Sequence, residues 1–515
     1  MKLKLLLAPQ PSMRMDVRIP PHGLSALTGY LRKKGFNVDQ DDLDIKAIYY
    51  YKKSGMNKIN INVFNDLERI KRYLSGTDDY YLQYVVRKLL RKTEYGGFEI
   101  IGFSIYSYSN LMTSLVLAKK IKQETGAKIV FGGTLNPSSE LLEKYPFIDY
   151  LVHGEGEIPL EILINMMERG DIKEKEIPGL IYRDGGKICK NREKYLPIEE
   201  KFIDLDGLPL DLYRKQYEDG NKFRDILILP YQCFKGCPFA CSFCKPVDDN
   251  GNPHDCLVRK KTPEKIISEL EILSEKYKTK FFFFLNNEIN FNYSYPEELA
   301  DTLIKNKMDI SWSDSARADT FDKKLLEKLH KSGCIKLVYG LESASNRILK
   351  LMNKRYTIEK AEKIIKLSSQ VGIWNEINLI PGFISEREED IQMNISFLKR
   401  NSCYIDSFNN SPFWIQKNTI IHKFPEKFRI KIYKNQFNPI ELTDNQCGEF
   451  KFEEIGHLSC KEKEIQIQES FERLGEAWEK FKGMPRVYPP HLIFYLYSKF
   501  DDKQGIVEWL RNNYN

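Results

Sequence analysis

The sequence contains no apolar run of the roughly 18 to 20 residues that a bilayer-spanning helix needs. Its densest apolar clusters, at 5–8 and 281–285, are only a few residues long. The alternation of charged and apolar residues at 2–8 suits a first β-strand, and its apolar core is too short for a secretion signal. We therefore expect a cytoplasmic protein without a membrane span.

Cysteine is also scarce, because ten cysteines in 515 residues are too few for a disulfide framework. Four of the ten nevertheless fall within the twelve residues 233–244. Such clustering indicates a metal or cluster site in a reducing compartment.

Neither sign of charge is in strong excess. The chain has 79 Lys and Arg against 72 Asp and Glu, and its net charge is +7. This balance gives no case for nucleic acid or an anionic membrane as the main partner. With 42% hydrophobic and 29% charged residues, the composition is that of a folded globular protein. A chain of 515 residues has room for about three domains.

The first 165 residues alternate short apolar runs with amphipathic segments, which is the pattern of a parallel sheet covered by helices. We predict an open, Rossmann-like α/β domain over 1–165, interrupted at about 46–97 by a Lys- and Tyr-rich helical insertion. The expected strands are 2–8, 37–39, 100–105, 128–131 and 150–152, and the expected helices are 23–34 and 111–124.

The polar stretch 166–224 predicts a hairpin that turns at 184–186 and is followed by a linker. From 225 to 414 six apolar runs alternate with helical segments, which predicts a complete or partial parallel (β/α)6 barrel. These runs are 225–230, 280–285, 310–313, 336–339, 376–380 and 407–413. The functional site of such a barrel lies at the carboxyl ends of its strands. We expect 415–515 to be mostly helical, and it carries no motif that we recognise.

The strongest motif is C-x3-C-x2-C, formed by Cys237, Cys241 and Cys244 directly after the first strand of the second domain. Three thiolates on one short loop can hold three irons of a [4Fe-4S] cluster and leave the fourth iron without a protein ligand. That open iron can bind a substrate or a cosubstrate. Cys233 is left out of the ligand set, because a frame that starts there has the spacing C-x3-C-x3-C.

Two other interpretations of these cysteines stay open. A structural zinc site could use Cys241 and Cys244 together with His254 and Cys256. The cysteines could also be ordinary buried thiols, in which case both their spacing and their position after a strand would be accidental.

With this motif the chain resembles the radical S-adenosylmethionine (SAM) superfamily. In that family the open iron chelates the amino and carboxylate groups of SAM, and an electron from the reduced cluster cleaves the sulfonium to give a 5′-deoxyadenosyl radical. The resemblance implies metal ligation by the three cysteines of the motif. It also places Phe243, just before the last cysteine, near the adenine.

Segments after the third and fourth strands extend the resemblance. The third strand is followed by 315–319, Ser-Ala-Arg-Ala-Asp, and the fourth ends in 340–343, Gly-Leu-Glu-Ser. The resemblance implies that Arg317 and Gly340 face SAM, with Glu342 and Ser343 placed to hydrogen-bond its ribose or amino group.

Two further segments carry the resemblance. The turn 380–386 is similar to the glycine-rich turn after the fifth strand, which implies close approach of Gly382 to the adenine, although Ile384 stands where a proline is more usual. After the second strand the family often has Gly-Gly-Glu, which binds the SAM amino group, and this chain has Asn-Asn-Glu ending at Glu288. The alternative for Glu288, Arg317 and Glu342 is a solvated surface charge.

Residues 1–165 resemble the cobalamin-binding domain of the cobalamin-dependent radical SAM subfamily. The segments that carry this resemblance are 20–24, 30–35, 131–134 and 154–157. The resemblance implies that residues at the ends of the strands bind the macrocycle and its nucleotide tail, and that the glycines among them allow close approach of the backbone. These residues are Gly132, Gly133, Gly154, Glu155 and Gly156. The D-x-H-x-x-G motif is absent, so no lower histidine ligand of that kind is expected. The alternative is a Rossmann-like scaffold that lacks the cofactor or docks a protein substrate.

Together these resemblances imply a cobalamin-dependent methyltransferase that acts on an unactivated carbon. One SAM would methylate cobalamin and a second would be cleaved on the cluster, so that a substrate radical takes the methyl group. The expected partners are a small-molecule or peptide substrate and a reductant such as flavodoxin or ferredoxin. One alternative is radical SAM cyclisation, rearrangement or sulfur insertion, with the first domain used for cobalamin electron transfer or docking. The other is a zinc- or cluster-stabilised binding protein without turnover.

Overall fold

The structure is a computed structural model of the 515-residue chain. It describes residues 1–11, 18–52, 58–215, 226–244, 257–433, 450–483, 485–500 and 502–513. The chain divides into two compact units between Leu227 and Ile228. In these ranges no helix combines the length and the apolar character needed to cross a bilayer.

A seven-stranded sheet forms the centre of the first unit. Its strands are β1 (Lys2–Leu7), β2 (Asn37–Asp42), β3 (Ile100–Ser104), β4 (Lys128–Gly132), β5 (Tyr150–Val152), β6 (Leu180–Asp184) and β7 (Lys187–Lys190). They lie in the order β2-β1-β3-β4-β5-β6-β7, and the first five are parallel. The helices of this unit are α1 (His22–Lys33), α2 (Leu43–Tyr51), α3 (Leu67–Leu74), α4 (Tyr80–Leu90), α5 (Tyr108–Thr125), α6 (Glu140–Lys144), α7 (Glu157–Arg169) and α8 (Leu210–Arg214).

The insertion predicted at 46–97 is helical. It consists of the end of α2, a 3₁₀ turn at Ile61–Asn65, α3 and α4. Apolar residues at helical spacing on α4, such as Leu82, Val86 and Leu89, are fully buried, which fixes the face that α4 turns inward. The insertion therefore belongs to the core of the first unit.

The hairpin predicted within 166–224 does not stand apart from the first domain. β6 pairs antiparallel with β5, so that Leu180 and Ile181 lie opposite Val152 and Leu151. Leu180 and Ile181 are buried, and an apolar hairpin strand gains this burial only by joining a sheet. The hairpin thus extends the parallel sheet by two antiparallel strands.

The second unit contains a six-stranded sheet in which each strand is parallel to its neighbours. Its strands are β8 (Ile228–Tyr231), β11 (Phe281–Phe284), β12 (Ser311–Ala316), β13 (Cys334–Glu342), β14 (Trp374–Leu379) and β15 (Ser407–Asn410), and a ribbon of β9 (Phe234–Lys235) and β10 (Arg259–Lys260) follows β8. The helices between them are α9 (Pro263–Tyr277), α10 (Ser294–Lys305), α11 (Lys323–Lys331), α12 (Asn346–Leu351), α13 (Ile358–Gln370) and α14 (Glu388–Arg400). Within the described ranges β8 and β15 are the two edges, so the barrel is partial.

The described part of the C-terminal region is mostly helical, with an antiparallel pair of strands that the sequence does not predict. It comprises α15 (Ile420–Lys423), β16 (Ile430–Tyr433), β17 (Lys451–Glu454), α16 (Cys460–Lys482), α17 (Pro490–Tyr497) and α18 (Lys503–Asn513). The ring of Phe494 contacts Phe281, and that of Tyr488 contacts Trp374. Because Phe281 and Trp374 begin β11 and β14, α17 and the residues before it pack against the amino-terminal ends of these two strands. Helix α16 instead contacts the turn that follows the carboxyl end of β14.

Candidate active site

The cysteine triad (Cys237, Cys241 and Cys244) lies on the loop that follows β8, at the carboxyl end of that strand. Cys237 and Cys241 are half-buried and Cys244 is exposed. The backbone N–H of Cys244 donates to the carbonyl of Cys241 at 3.2 Å, so the last two cysteines share a tight turn. The loop thus presents its thiols at the edge where a site is expected in a parallel barrel.

The segment after α12 fixes the middle of this loop. Ser242 donates from its backbone N–H to the carbonyl of Met352 at 3.0 Å and from its hydroxyl to that of Leu351 at 3.0 Å. The Asn353 amide donates to the carbonyl of Ala240 at 2.6 Å. Three hydrogen bonds therefore hold the residues between the cysteines.

Asn286 fixes the start of the loop. Its Oδ1 accepts from the backbone N–H groups of Cys233 and Phe234 at 3.0 and 3.1 Å. Its Nδ2 donates to Asp314 Oδ2 at 2.6 Å, and burial raises the pKa of Asp314. The asparagine that departs from the family's Gly-Gly-Glu is therefore a structural anchor for the cysteine loop.

Glu288 lies beside the first cysteine of the triad. Its Oε1 accepts from Cys237 Sγ at 2.8 Å. Burial raises the pKa of Glu288, although the Cys237 hydrogen bond and the charges of Arg317 and Lys354 act in the opposite direction. Glu288 is therefore part of the cysteine site and not a solvated surface charge.

Arg317 is buried against the same loop, with only 1% of its surface exposed. Its Nη2 donates to Asp319 Oδ2 at 2.7 Å and to the carbonyl of Lys354 at 2.5 Å. Its guanidinium carbon lies 3.8 Å from the ring centroid of Phe239. The buried Nη1 has no hydrogen-bond partner among the described residues. Since an unpaired buried donor is costly, Nη1 is a candidate for a ligand contact.

Glu342 ends β13 in an unusual backbone conformation, with φ of 69°. The register between β13 and β14 shifts between Gly340 and Glu342. A Cβ atom at position 340 would lie 2.6 Å from Glu342 Oε1, so glycine at 340 leaves room for this carboxylate. Glu342 Oε1 lies 3.3 Å from Nζ of the buried Lys354. Left-handed conformations of residues other than glycine concentrate at functional sites.

Four charged side chains act electrostatically on the cysteine at the centre of the triad. Burial is the largest influence on Cys241 and raises its pKa. The positive charges of Lys354 and Arg317 lower that pKa, and the negative charges of Glu288 and Glu342 raise it. The structure therefore brings the predicted Glu288, Arg317 and Glu342 together around the cysteines.

Three thiols on one loop are compatible with an iron–sulfur cluster. Among the residues that the structure describes, no three His, Cys, Asp or Glu side chains are arranged as ligands of one metal ion. Each cysteine of a cluster site binds a different iron, so its thiols need not converge on one point. The zinc alternative also depends on His254 and Cys256, which lie outside the described residues.

The turn that contains Gly382 contacts Phe243 through the ring of the next residue, Phe383. The Phe243 ring is T-shaped to that of Phe383, with 6.3 Å between the centroids. Gly382 has φ of +78°, and a Cβ there would lie 2.5 Å from Ile467 Cγ1 on α16. Close approach to α16 therefore explains glycine at 382, and the approach of Gly382 to the adenine stays a prediction.

Ser343 is buried, and its hydroxyl is hydrogen-bonded within the protein. Its hydroxyl accepts from the backbone N–H of Ser345 at 3.1 Å and lies 3.5 Å from Asn394 Oδ1. This arrangement supports the start of α12. A contact between Ser343 and a ligand therefore stays a prediction, and the structure gives this hydroxyl another use.

The glycines after β4 pack against their own chain. Gly133 has φ of +122°, and a Cβ there would lie 2.4 Å from the carbonyl oxygen of Ile105. A Cβ at Gly132 would lie 3.3 Å from that of Val152. Packing within the first unit explains both glycines without a ligand.

The residues after β5 have partners within the first unit as well. The backbone N–H of Gly154 donates to Asn136 Oδ1 at 3.2 Å, and Gly156 is the N-cap of α7. Glu155 is buried and pairs with Lys201, whose Nζ lies 2.9 Å from its Oε2. The role of these residues in binding cobalamin stays a prediction that rests on the resemblance.

Lys354 and Tyr356 belong to the site but carry no sequence motif. Tyr356 donates from its hydroxyl to the carbonyl of Gly340 at 2.9 Å, and Lys354 pairs with Glu342 as described. They lie on the loop between α12 and α13, where nothing in the sequence marks them. Only the fold brings this loop to the end of β13.

The chain is similar to proteins of a known family. Residues 231–398 match the family model of the radical SAM superfamily. The chain is similar to an uncharacterized methyltransferase of Pyrococcus horikoshii, with 30% identity over 292 residues, 55% of this chain and 60% of that protein. It is also similar to the anaerobic magnesium-protoporphyrin IX monomethyl ester cyclase of Rubrivivax gelatinosus, with 28% identity over 49% of this chain and 45% of that one. The chain thus spans about half the length of these relatives.

One solved structure is similar over nearly the whole chain. It is the cobalamin-dependent SAM radical enzyme OxsB with aqua-cobalamin and SAM bound. The TM-score is 0.65 at 16% identity, over 99% of this chain and 70% of the OxsB chain. The similarity confirms the fold class predicted from the sequence. Residues 231–398 therefore match the radical SAM superfamily, and the chain as a whole is similar in fold to OxsB.

Proposed function

We propose that the protein is a radical SAM enzyme that methylates an unactivated carbon with the help of cobalamin. The cysteine triad would hold a [4Fe-4S] cluster whose open iron binds SAM, and the first unit would hold cobalamin. When bound, these groups would supply a 5′-deoxyadenosyl radical and a transferable methyl group. The observation that carries the proposal is the contact of Glu288 Oε1 with Cys237 Sγ, together with the position of Arg317 against Phe239 of the same loop and the Glu342–Lys354 pair.

Each of these side chains has a chemical part in the proposal. The two cations, Arg317 and Lys354, offset the negative charge of thiolate ligands, since opposite charges within a few ångströms favour the charged form. The carboxylates of Glu288 and Glu342 offer acceptors to the SAM amino group or ribose hydroxyls. Arg317 Nη1 offers a donor that the described part of the protein leaves unused.

The cobalamin part of the proposal is supported by the fold of the first unit. Its parallel strands end in the loops that contain Gly133 and Gly154, and ligands of such sheets bind at the carboxyl ends of the strands. The solved structure with a similar fold contains aqua-cobalamin. These observations support cobalamin binding at the edge of the sheet that carries the predicted residues.

A second candidate is radical SAM ring formation without methyl transfer. The similarity to a monomethyl ester cyclase favours it. Both candidates form 5′-deoxyadenosine, but only methyl transfer from SAM also releases S-adenosylhomocysteine. Measuring the two products in one reaction therefore separates the candidates.

The first test is anaerobic reconstitution of the full chain with iron, sulfide and hydroxocobalamin, followed by desalting and metal analysis. We expect about four irons per chain and one retained cobalt, together with dithionite-dependent cleavage of SAM. Cys241→Ala should lose both iron and SAM cleavage. Cys403→Ala is the matched control, because Cys403 is an exposed thiol outside the motif.

Each other outcome has a clear meaning. Iron without cobalt would remove cobalamin from the proposal and favour the second candidate. Zinc in place of iron, or full activity of Cys241→Ala, would contradict the radical SAM site itself.

A further inference from the structure

The turn 381–386 after β14 is held by α16 of the C-terminal region. Lys463 on α16 is 1% exposed, and its Nζ donates to the carbonyl of Phe383 at 2.9 Å. The Gln466 side chain donates to the carbonyl of Glu386 at 2.9 Å, and also accepts from Lys463 Nζ at 2.7 Å. Two backbone carbonyls of the turn are therefore fixed by one helix that lies more than 70 residues later in the chain.

A buried carboxylate on β17 completes this arrangement. Glu454 Oε1 accepts from the backbone N–H of Ser385 at 2.9 Å and pairs with Lys463 Nζ at 2.7 Å. Both partners of the pair are buried. Because removal of one partner leaves an uncompensated buried charge, Lys463 and Glu454 depend on each other.

Close packing of Gly382 against Ile467 is a second link between the turn and α16. A Cβ at Gly382 would lie 2.8 Å from Ile467 Cα and 2.5 Å from its Cγ1. The backbone N–H of Gly382 donates to Glu386 Oε2 at 2.7 Å, which keeps the turn closed. The position of α16 and the conformation of the turn therefore determine each other.

Aromatic contacts connect the same turn with the cysteine loop. Phe383 contacts Phe243, which precedes Cys244, and it also contacts Phe413 with 4.8 Å between the centroids. Phe413 in turn contacts Phe452 on β17. A continuous set of aromatic contacts therefore connects the cysteine motif, the turn 381–386 and β17.

We propose that the C-terminal region is part of the SAM site and that Lys463 is a positioning residue for SAM. Lys463 holds the turn 381–386 through the Phe383 carbonyl, so that Phe243 and Phe383 keep the arrangement that receives the adenine. This inference rests on the proposed function. It gives the C-terminal residues, which carry no motif, a role in cofactor affinity separate from cluster assembly.

The test measures formation of 5′-deoxyadenosine by the reconstituted full chain with dithionite as reductant and SAM as the varied ligand. We expect Lys463→Met to raise the KM for SAM at least about tenfold, which corresponds to about 1.4 kcal/mol. Iron content and the maximal cleavage rate should stay near those of the unchanged protein. Gln466→Ala removes the contact to Glu386 and one acceptor of Lys463 Nζ but keeps the contact of Lys463 to Phe383, so it should raise the KM by a smaller factor.

Arg473→Met is the matched control. Arg473 lies on the same helix, but its guanidinium forms its ion pair with Glu388 on α14 at 2.7 Å, outside the turn 381–386. We expect this variant to keep the KM for SAM unchanged. A general loosening of α16 would instead raise the KM in all three variants, and that outcome would overturn the role of Lys463.

The remaining outcomes separate this inference from the proposed function. An unchanged KM in both Lys463→Met and Gln466→Ala would overturn the inference and leave the proposed function intact. Loss of iron in Gln466→Ala would also overturn it, because the contact would then act on the cluster. Failure of the unchanged protein to bind iron or cleave SAM would overturn the proposed function first.

Discussion

A single amide, that of Asn286, anchors the peptide groups with which the cysteine loop begins. It bonds the N–H groups of Cys233 and Phe234 and the carboxyl group of Asp314. We expect Asn286→Gly, which restores the residue that the family often has there, to lower the free energy of unfolding by about 2 to 4 kcal/mol, since buried polar groups lose their partners. Denaturant titration of the iron-free protein measures this change.

The neighbouring asparagine supplies the control for that experiment. Asn287 is exposed, and its amide donates to the carbonyl of Gly236 at 3.2 Å. Asn287→Gly should therefore change stability by less than about 1 kcal/mol. An equal loss of unfolding free energy in the two variants would contradict the role of the Asn286 amide. It would show that the main-chain flexibility of glycine causes the destabilisation.

Glu386 makes stability depend on pH. Burial raises its pKa from 4.5 to about 7, although Gly382 and Lys463 act in the opposite direction. A carboxyl group whose pKa is raised by folding binds more protons in the native state, so its contribution to stability is present at low pH and is lost as the pH rises from about 4.5 to 7. We expect Glu386→Gln, which keeps an acceptor for Gly382, to flatten the fall in stability across that range in thermal unfolding at several pH values. Parallel curves for the two proteins would contradict this.

The residues of the site differ in how readily a sequence shows them. The cysteine triad is recognisable because ligation chemistry constrains its spacing along one loop. Lys354 is not, because its place beside Glu342 depends on a loop and a strand end that only the fold brings together. Gly382 was identified, but its neighbour Ile467 lies on a helix without a motif.

At the scale of elements, the parallel strands are predictable and the antiparallel additions are not. Strands such as β3 and β4 are buried along nearly their whole length and therefore appear as short apolar runs. β16 and β17 contain exposed lysines, Lys431 and Lys451, and their pairing depends on residues about twenty positions apart. The attachment of β6 to β5 has no local signal either, because a hairpin sequence does not specify the edge that it joins.

α17 is expected to stabilise the amino-terminal ends of the strands. Phe494 is fully buried and contacts the ring of Phe281 at the start of β11. Phe494→Ala should lower the free energy of unfolding by about 3 to 5 kcal/mol, the usual loss for a buried phenylalanine. Tyr495→Ala, at the next and only half-buried position, should lower it less in the same denaturant titration. The reverse order would contradict the packing described for α17.

At the scale of the whole molecule, the second unit is not complete without the end of the chain. The rings of Tyr488 and Phe494 cover Trp374 and Phe281, and Ile467 packs on Gly382. We expect a chain that ends at residue 414 to expose these apolar surfaces and to aggregate. Comparison of the soluble fraction with that of the full chain checks this, and an equally soluble truncated chain that binds iron would contradict it.

The late position of α16 and α17 also has a consequence for biosynthesis. All six strands of the second sheet have been translated once Asn410 is added, but Phe494 follows 84 residues later. At about 5 to 20 residues per second, the ribosome needs on the order of 4 to 17 seconds for that stretch. During this interval the sheet has all its strands but not its cover, so a nascent-chain chaperone has a defined surface and a defined time in which to act.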